Sequence, residues 1–293
     1  MKKIIFNNIP LIISFLFLFS LVVYGHLEYK NEVQGINDTY NKYVTECSLS
    51  NFEDEEYISY CNDLLEDKYY PNFFSEVSYI IHKVNYISMV LFFAVSMPSL
   101  YYISKYLKNG IIKNELTRKT FKKCKINLLA ISYKGALILP IIAIVMFVLS
   151  YANTKTFETF NMQDIIWENS TTTNPYLFII MYLINITIHS ILYCNISLCI
   201  VRKKHNYYVS SILSYLTFIA IELILELGIN TILLGKIFKI NLGVILSIFN
   251  VLAFNDSYGV LAPLVVPTIM LCISYVFLYF MYKDKEKLII DCN

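Results

Sequence analysis

The sequence predicts an all-α integral membrane protein with six transmembrane helices, a large outer loop after helix 1 and a re-entrant or interfacial helical region before helix 6. Of its 293 residues, 57% are hydrophobic and only 16% are charged, whereas soluble domains carry about 25% charged residues. The apolar residues form blocks about as long as the ~20 residues that cross a bilayer. Because lipid offers no hydrogen bonds and no alternating barrel pattern is present, these blocks are predicted to be helices.

The first block, 9–24, follows Lys2 and Lys3 and has the length of a signal peptide core. No small-x-small cleavage site follows it, because residues 25–27 lead directly into a charged segment. We therefore predict a retained membrane anchor.

An acidic outer loop is predicted at 25–80, where carboxylates greatly outnumber the lysines. Cys47 and Cys61 lie in this loop, on the side where oxidation can occur. A bridge between them would close a loop of about 15 residues and stabilise it by about 3 kcal/mol. The two cysteines are therefore candidates for a disulfide. The acidic residues are Glu28, Glu32, Asp38, Glu46, Glu53, Asp54, Glu55, Glu56, Asp63, Glu66, Asp67 and Glu76.

The second span is predicted at 86–102 and ends at a strongly basic loop, 104–126, whose one acid is Glu115. Short loops rich in lysine and arginine stay on the cytoplasmic side of a membrane. This loop is therefore predicted to be cytoplasmic. Its basic residues are Lys105, Lys108, Lys113, Arg118, Lys119, Lys122, Lys123 and Lys125.

Four further spans are predicted, at 136–151, 176–201, 209–228 and 262–282. Basic residues follow the fourth span at 202–204 and the sixth span from Lys283 onward. Both clusters are expected on the cytoplasmic side, so both termini are predicted to be cytoplasmic.

The stretch 231–252 is half apolar, but Lys236, Lys239 and two glycines interrupt it. A seventh crossing there would place the C-terminal lysines outside the cell, against the charge rule. We therefore predict an outer re-entrant region at 230–261 and treat residues 1–293 as a single transmembrane domain.

The chain carries no motif of a catalytic or nucleotide-binding site. A phosphate loop, GxxxxGK[ST], is absent, as is the zinc motif HExxH. The four histidines are far apart in sequence. We therefore expect no catalytic residues, no metal and no cofactor in this chain, and no nucleic-acid partner.

Two carboxylates in the fifth span, Glu222 and Glu226, are one helical turn apart and are predicted to share a face. A carboxylate near the bilayer centre costs about 2.5–3.5 kcal/mol, which indicates a partner or a role. Either they are interfacial or protonated groups bonded to a neighbouring helix, or they form a substrate pathway or cation site. His189, with Asn185 on the same face of the fourth span, is a candidate partner, although a lone helical histidine is more often a packing residue.

The basic loop contains the segment Asn109-Gly110-Ile111-Ile112-Lys113, followed by Leu116-Thr117-Arg118. This pattern resembles the segment ENGTIKxLLS of ABC-2 type transporter permeases, as does the order of spans and loops along the chain. Lys108 stands where that family usually has an acid, and Ile111 where it has threonine. The resemblance implies a helix that couples the permease to its ATPase, with contact residues Lys108, Asn109, Gly110, Ile112, Lys113, Glu115, Leu116 and Arg118.

The same resemblance implies a function and partners. The chain would be the membrane subunit of a bacterial ABC exporter in the cytoplasmic membrane, paired with a second permease subunit. ATP and Mg²⁺ would bind to separate ATPase subunits. The substrate would be a peptide, a bacteriocin or a drug-like molecule.

Three alternatives remain open at this point. The basic loop could be a solvated connector that touches anionic lipid. The chain could be a non-transporting bacteriocin-immunity or signalling protein whose acidic outer loop binds a cationic peptide. An intramembrane enzyme would require Glu222, Glu226 and His189 to converge.

Overall fold

The computed structural model describes most of the chain, and within the described residues all regular structure is helical. The predicted coupling residues Asn109 and Gly110 fall outside the described part, as does Cys61. The described residues are 8–49, 71–85, 88–108, 111–157, 174–204, 206–240, 246–248 and 261–284.

Nine α-helices follow one another along the described residues. A 3₁₀ turn, Gly135–Leu137, joins the fifth of them to the sixth, and a π-helix, Ile224–Phe238, continues the eighth. The helices are α1 (Ile9–Leu49), α2 (Phe73–Asn85), α3 (Ser88–Lys108), α4 (Ile111–Leu116), α5 (Phe121–Ser132), α6 (Ile138–Thr154), α7 (Pro175–Lys203), α8 (Tyr207–Leu223) and α9 (Ala262–Tyr282).

Six of the helical stretches in the described residues are long and apolar enough to cross a membrane. This confirms the predicted class, an all-α chain with six candidate transmembrane helices. The last predicted span, 262–282, coincides with α9. The stretches are Ile9–Cys47, Val90–Lys108, Phe121–Thr154, Tyr176–Lys203, Tyr207–Phe238 and Ala262–Tyr282.

Helix α7 lies at the centre of the bundle and packs against α3, α6, α8 and α9. Its large side chains Tyr182 and Tyr193 are fully buried. The outer faces of α8 and α9, by contrast, expose apolar groups such as Ile212 and Phe277. An apolar outer surface of this kind suits hydrocarbon rather than water.

One end of the bundle carries Lys108, Arg202, Lys203, Lys204 and Lys283, and we call it the basic end. There α3 and α8 meet through the rings of Tyr101 and Tyr207, with centroids 6.1 Å apart. The guanidinium of Arg202, at the end of α7, lies 5.9 Å from the ring centroid of Tyr282 on α9. The basic loop, the end of α7 and the end of α9 therefore lie together.

Helix α1 is much longer than predicted, because it continues without a break from Ile9 to Leu49. Its 41 residues at ~1.5 Å each span about 60 Å, roughly twice a hydrocarbon core of ~30 Å. The first part of the predicted outer loop, 25–80, is thus a helix. Hydropathy marks where the apolar run ends at Tyr24, but it does not mark where the helix ends.

Helix α2 also lies within the predicted loop, and it folds back against α1. The amine of Lys83 lies 3.2 Å from a carboxylate oxygen of Glu28. The hydroxyl of Tyr79 donates to Glu32 at 3.1 Å. The pKa of Lys83 is raised, chiefly by its hydrogen bond to Glu28. These polar pairs join two helices that the sequence had assigned to a loop.

The predicted re-entrant region, 230–261, begins as helix rather than as a break. The π-helix runs to Phe238 and ends at Lys239, which has a positive φ of 56°. After Lys239, the structure describes Ile240, 246–248 and Leu261 of this region. Whether this region is re-entrant therefore stays a prediction.

The joint between α5 and α6 lies directly against α3. A Cβ atom added to Gly135 would lie 2.3 Å from the carbonyl oxygen of Val95 and 2.4 Å from the hydroxyl of Ser99. No side chain fits at that distance, so glycine allows the close approach of these helices.

Candidate functional site

The short helix α4 carries most of the predicted coupling segment, and its residue Ile112 fixes it to the bundle. The Ile112 side chain is fully buried. It lies in an apolar cluster at the basic end to which α3, α5, α7 and α9 all contribute. The buried members of this cluster are Leu100, Ile103, Tyr106, Leu107, Ile112, Leu128, Leu198, Val201, Leu278 and Tyr282.

A second attachment of α4 is polar and runs through Glu115. The hydroxyl of Tyr106 on α3 donates a hydrogen bond to one oxygen of this carboxylate. The amine of Lys119 donates to the other at 3.2 Å. The hydrogen bond from Tyr106 and the contact with Lys119 lower the pKa of Glu115. Glu115 is therefore a charged link between α4 and α3.

The opposite face of α4 is open. Ile111 and Asn114 are exposed on it, and Thr117 and Arg118 are exposed just after its last turn. Of the predicted contact residues, Lys108 and Arg118 are exposed, whereas Lys113 and Leu116 are half-buried.

Two predicted contact residues, Ile112 and Glu115, are turned toward the protein. The sequence pattern singled out this segment but does not separate its two faces. In a helix this short, burial depends on the apolar cluster that the longer helices form, which the segment itself does not reveal.

Glu222 is buried on α8 and is engaged on both oxygens. It accepts hydrogen bonds from the hydroxyl of Ser247 and from the backbone N–H of Ile248, the latter at 2.8 Å. The carbonyl of Ile248 in turn accepts from the hydroxyl of Tyr193 on α7 at 3.0 Å. The segment 246–248 is thus held between α7 and α8.

Glu226 does not share this environment. It lies at the start of the π-helix and its side chain is exposed, whereas Glu222 is 4% exposed. The helix changes to the wider i→i+5 winding at Ile224, so the spacing of a regular α-helix no longer relates the two carboxylates.

His189 is buried on α7, and one of its nitrogens has a partner. Its Nδ1 lies 3.0 Å from the carbonyl oxygen of Asn185. Since a carbonyl only accepts, Nδ1 carries the proton and Nε2 is an acceptor. Nε2 has no partner among the described residues. The rings of His189 and Tyr193 are 6.3 Å apart; His189 and Glu222 thus both lie beside Tyr193 without a hydrogen bond between them.

A polar cluster that sequence reasoning missed lies at the end opposite the basic end. The carboxylate of Glu76 on α2 is fully buried. It contacts Nδ1 of His26 on α1 and accepts from the side-chain amide of Asn153 on α6 at 2.7 Å. The sequence signal was a single acid within the apolar face of α2. Its partners are too distant in sequence to be found by spacing.

Cys47 is disulfide-bonded at the far part of α1. The predicted partner Cys61 lies outside the described residues, so the pairing stays a prediction.

Comparison of the chain with protein-family models, with curated proteins and with solved structures finds no match in any of the three.

Proposed function

We propose that this chain is the membrane-spanning permease subunit of an ATP-driven ABC exporter in a bacterial cytoplasmic membrane. The observation that carries the proposal is the two-faced helix α4. Its inner face is fixed by Ile112 and Glu115, while Ile111, Asn114 and Arg118 are exposed on and beside its outer face. Such a helix suits a contact with a separate subunit.

The attachments of α4 also suit the transmission of movement. Closely packed side chains are displaced together rather than compressed. A push on the outer face would pass through Ile112 into the apolar cluster that α3, α5, α7 and α9 share, and through Glu115 to Tyr106 on α3. In this proposal ATP and Mg²⁺ bind to the partner ATPase, and a second permease subunit completes the translocation path.

The distribution of charge supports the proposed orientation. Lys108, Lys203 and Lys204 lie at the basic end, and an excess of lysine and arginine marks the cytoplasmic side. This supports a cytoplasmic position for α4, where an ATPase would reach it. Both chain termini are then cytoplasmic as well.

The substrate of the proposed exporter is a peptide, a bacteriocin or a drug-like molecule. Of the proposed pathway residues, Glu222 is occupied in holding 246–248. His189 keeps a buried acceptor nitrogen and Glu226 is exposed. Transport also requires that the substrate bind the inward and outward states with different affinities.

Copurification tests this proposal. The chain is coexpressed with ATPases encoded beside it that carry their own phosphate loop, and the complex is isolated through a tag on the permease. We expect Arg118→Glu or Asn114→Trp to abolish the complex, because both change the exposed side of the α4 segment. Lys122→Glu is the matched control, since it reverses an exposed charge on α5 instead. The proposal is wrong if no ATPase copurifies, or if the control weakens the complex as much.

A second candidate function rests on the length of α1. The helix extends well past the apolar run, and its far part carries exposed acidic residues such as Glu32 and Glu46. A non-transporting immunity or signalling protein could use this region to bind a cationic peptide. Peptide binding by the purified chain, with no ATPase in the complex, would favour this function.

A further inference from the structure

A groove of about 430 Å³ opens between α7 and α9, in the half of the bundle nearest the basic end. Helix α8 contributes to it only through Thr217 and Ile221. The rim is exposed: Phe277 is 61% and Ile273 44% accessible. Most of the lining is apolar, including Leu192, Ile196, Ile200, Met270 and Met281.

The hydroxyl groups in the lining already have partners within the protein. Ser274 donates to the carbonyl of Leu271 at 2.7 Å and accepts from the amide of Asn195 at 2.8 Å. Thr217 donates to the carbonyl of Leu213 at 2.8 Å. The interior of the groove therefore suits a hydrocarbon chain rather than a polar ligand.

The end of the groove at the basic end is cationic. Lys203, the last residue of α7, lines it. No carboxylate lines the groove, and no ion pair of Lys203 is found within the described residues. The next residue, Lys204, is exposed but does not line the groove. A lysine at a helix end reaches toward the head-group region of a bilayer, so the groove combines an apolar trough with a positive charge at its entrance.

The length of the groove matches one leaflet of a membrane. From Leu192 to Lys203, and likewise from Met270 to Met281, a helix rises about 16 Å at ~1.5 Å per residue. Half of a hydrocarbon core of ~30 Å is about 15 Å. The groove thus reaches from the membrane surface to about the midplane.

We infer that this groove binds an acyl chain of an anionic phospholipid, with the lipid phosphate paired to Lys203. Charge favours an anionic head group over a zwitterionic one, since basic sites between transmembrane helices attract anionic lipids. The inference requires insertion in a membrane but not transport. It therefore stands or falls separately from the proposed exporter.

Native mass spectrometry tests the inference on the full chain. The protein is equilibrated in mixed micelles with equal amounts of dioleoyl phosphatidylglycerol and dioleoyl phosphatidylcholine. We expect phosphatidylglycerol to be retained preferentially, and Lys203→Gln to reduce that preference about fivefold, as expected for loss of one lysine near an anionic surface. Lys204→Gln is the matched control, because Lys204 does not line the groove.

A bulky substitution in the groove tests whether an acyl chain occupies it. Cys199 lines the groove, whereas Cys272 is exposed on α9 outside it. We expect Cys199→Phe to reduce retention of both lipids and Cys272→Phe to leave it unchanged. If Cys199→Phe does not give a monodisperse protein, the charge variants still decide.

Three results would overturn the inference. One is that Lys203→Gln and Lys204→Gln retain phosphatidylglycerol equally well. Another is displacement of the lipid by free glycerol 3-phosphate, which has the phosphate but no acyl chain. The third is a dimer that Cys199→Phe dissociates, because the groove would then hold a second copy of the chain.

Discussion

The hydroxyl of Tyr106 donates a hydrogen bond to Glu115, so the last turn of α3 and the short helix α4 share one carboxylate. The carboxylate also accepts from Lys119. Hydrogen bonds to a charged group contribute about 1.5–3 kcal/mol each. This link fixes α4 relative to a transmembrane helix, and it can be measured without knowing any partner.

Tyr106→Phe and Glu115→Gln are expected to lower the free energy of unfolding, and together to lower it by less than the sum of the two. The expected coupling energy is about 1.5 kcal/mol. It is measured by a double-mutant cycle, with unfolding followed as SDS is titrated into micelles. Additive effects of the two substitutions would contradict a direct bond.

The same link predicts a dependence on pH. The pKa of Glu115 is lowered from its ordinary 4.5, so its contribution is fully present above pH 4.5 and is lost as the pH falls through the lowered value. The stability difference between the wild-type protein and Glu115→Gln should therefore shrink below pH 4.5. A difference that is equal at pH 7 and at pH 3.5 would show that the charge plays no part.

Glu222 and Glu226 make a matched pair for substitution. Glu222→Ala removes the acceptor of the Ser247 hydroxyl and leaves the N–H of the buried residue Ile248 without its carboxylate acceptor, and a buried group without a partner costs about 1–3 kcal/mol. Glu226→Ala removes an exposed side chain and is expected to change stability by less than about 0.5 kcal/mol. SDS titration of both variants measures the difference. Equal effects would mean that Glu222 does not hold segment 246–248.

Substitution of Gly135 tests how closely the α5–α6 joint packs on α3. Gly135→Ala forces a Cβ into the backbone of Val95, and overpacking of this kind costs about 1–3 kcal/mol. Gly35→Ala is the control, because nothing lies within 4 Å of a Cβ added at Gly35 on α1. The control should be neutral or stabilising, since alanine favours helix. Melting temperatures in detergent distinguish the two; equal values would contradict the close approach.

Substitution of Glu76 tests whether the polar cluster opposite the basic end stabilises the fold. Glu76→Ala leaves Asn153 and His26 without this carboxylate, and removing one partner of a buried pair costs about 3 kcal/mol. Glu46→Ala is the control, since its contact with Lys42 at 4.0 Å is on the surface and such pairs contribute about 0.3–0.5 kcal/mol. Comparable losses of melting temperature in both variants would show that the Glu76 cluster is not structural.

The sequence predicted the six apolar helices because long hydrophobic runs have few other stable arrangements. Span ends were predicted best where lysine follows an apolar run, as after Tyr282. The prediction failed at the end of α1 and in the continuation of α8 through Gly228, because both helices go on after the hydropathy falls. Polar residues form helices as readily as apolar ones when tertiary contacts support them.

The candidate site was predictable only as a segment. The sequence located α4 and singled out Glu222 as a costly group, but the partners of these residues come from other parts of the chain. Ile112 lies in an apolar cluster to which α7 and α9 contribute, and Glu222 accepts a hydrogen bond from Ser247. The spacing of residues along the chain does not predict contacts between residues that are distant in sequence. The Glu76 cluster was missed for the same reason.

Helix α1 has a mechanical consequence that follows from its length. About 30 Å of this unbroken helix lie beyond a hydrocarbon core of ~30 Å. A tilt of about 10° where it leaves the membrane displaces its last turn by about 5 Å over that length. The far part of α1 is therefore a lever whose tip magnifies small rotations within the bundle, and spin labels near Tyr43 would report changes too small to detect among the packed helices themselves.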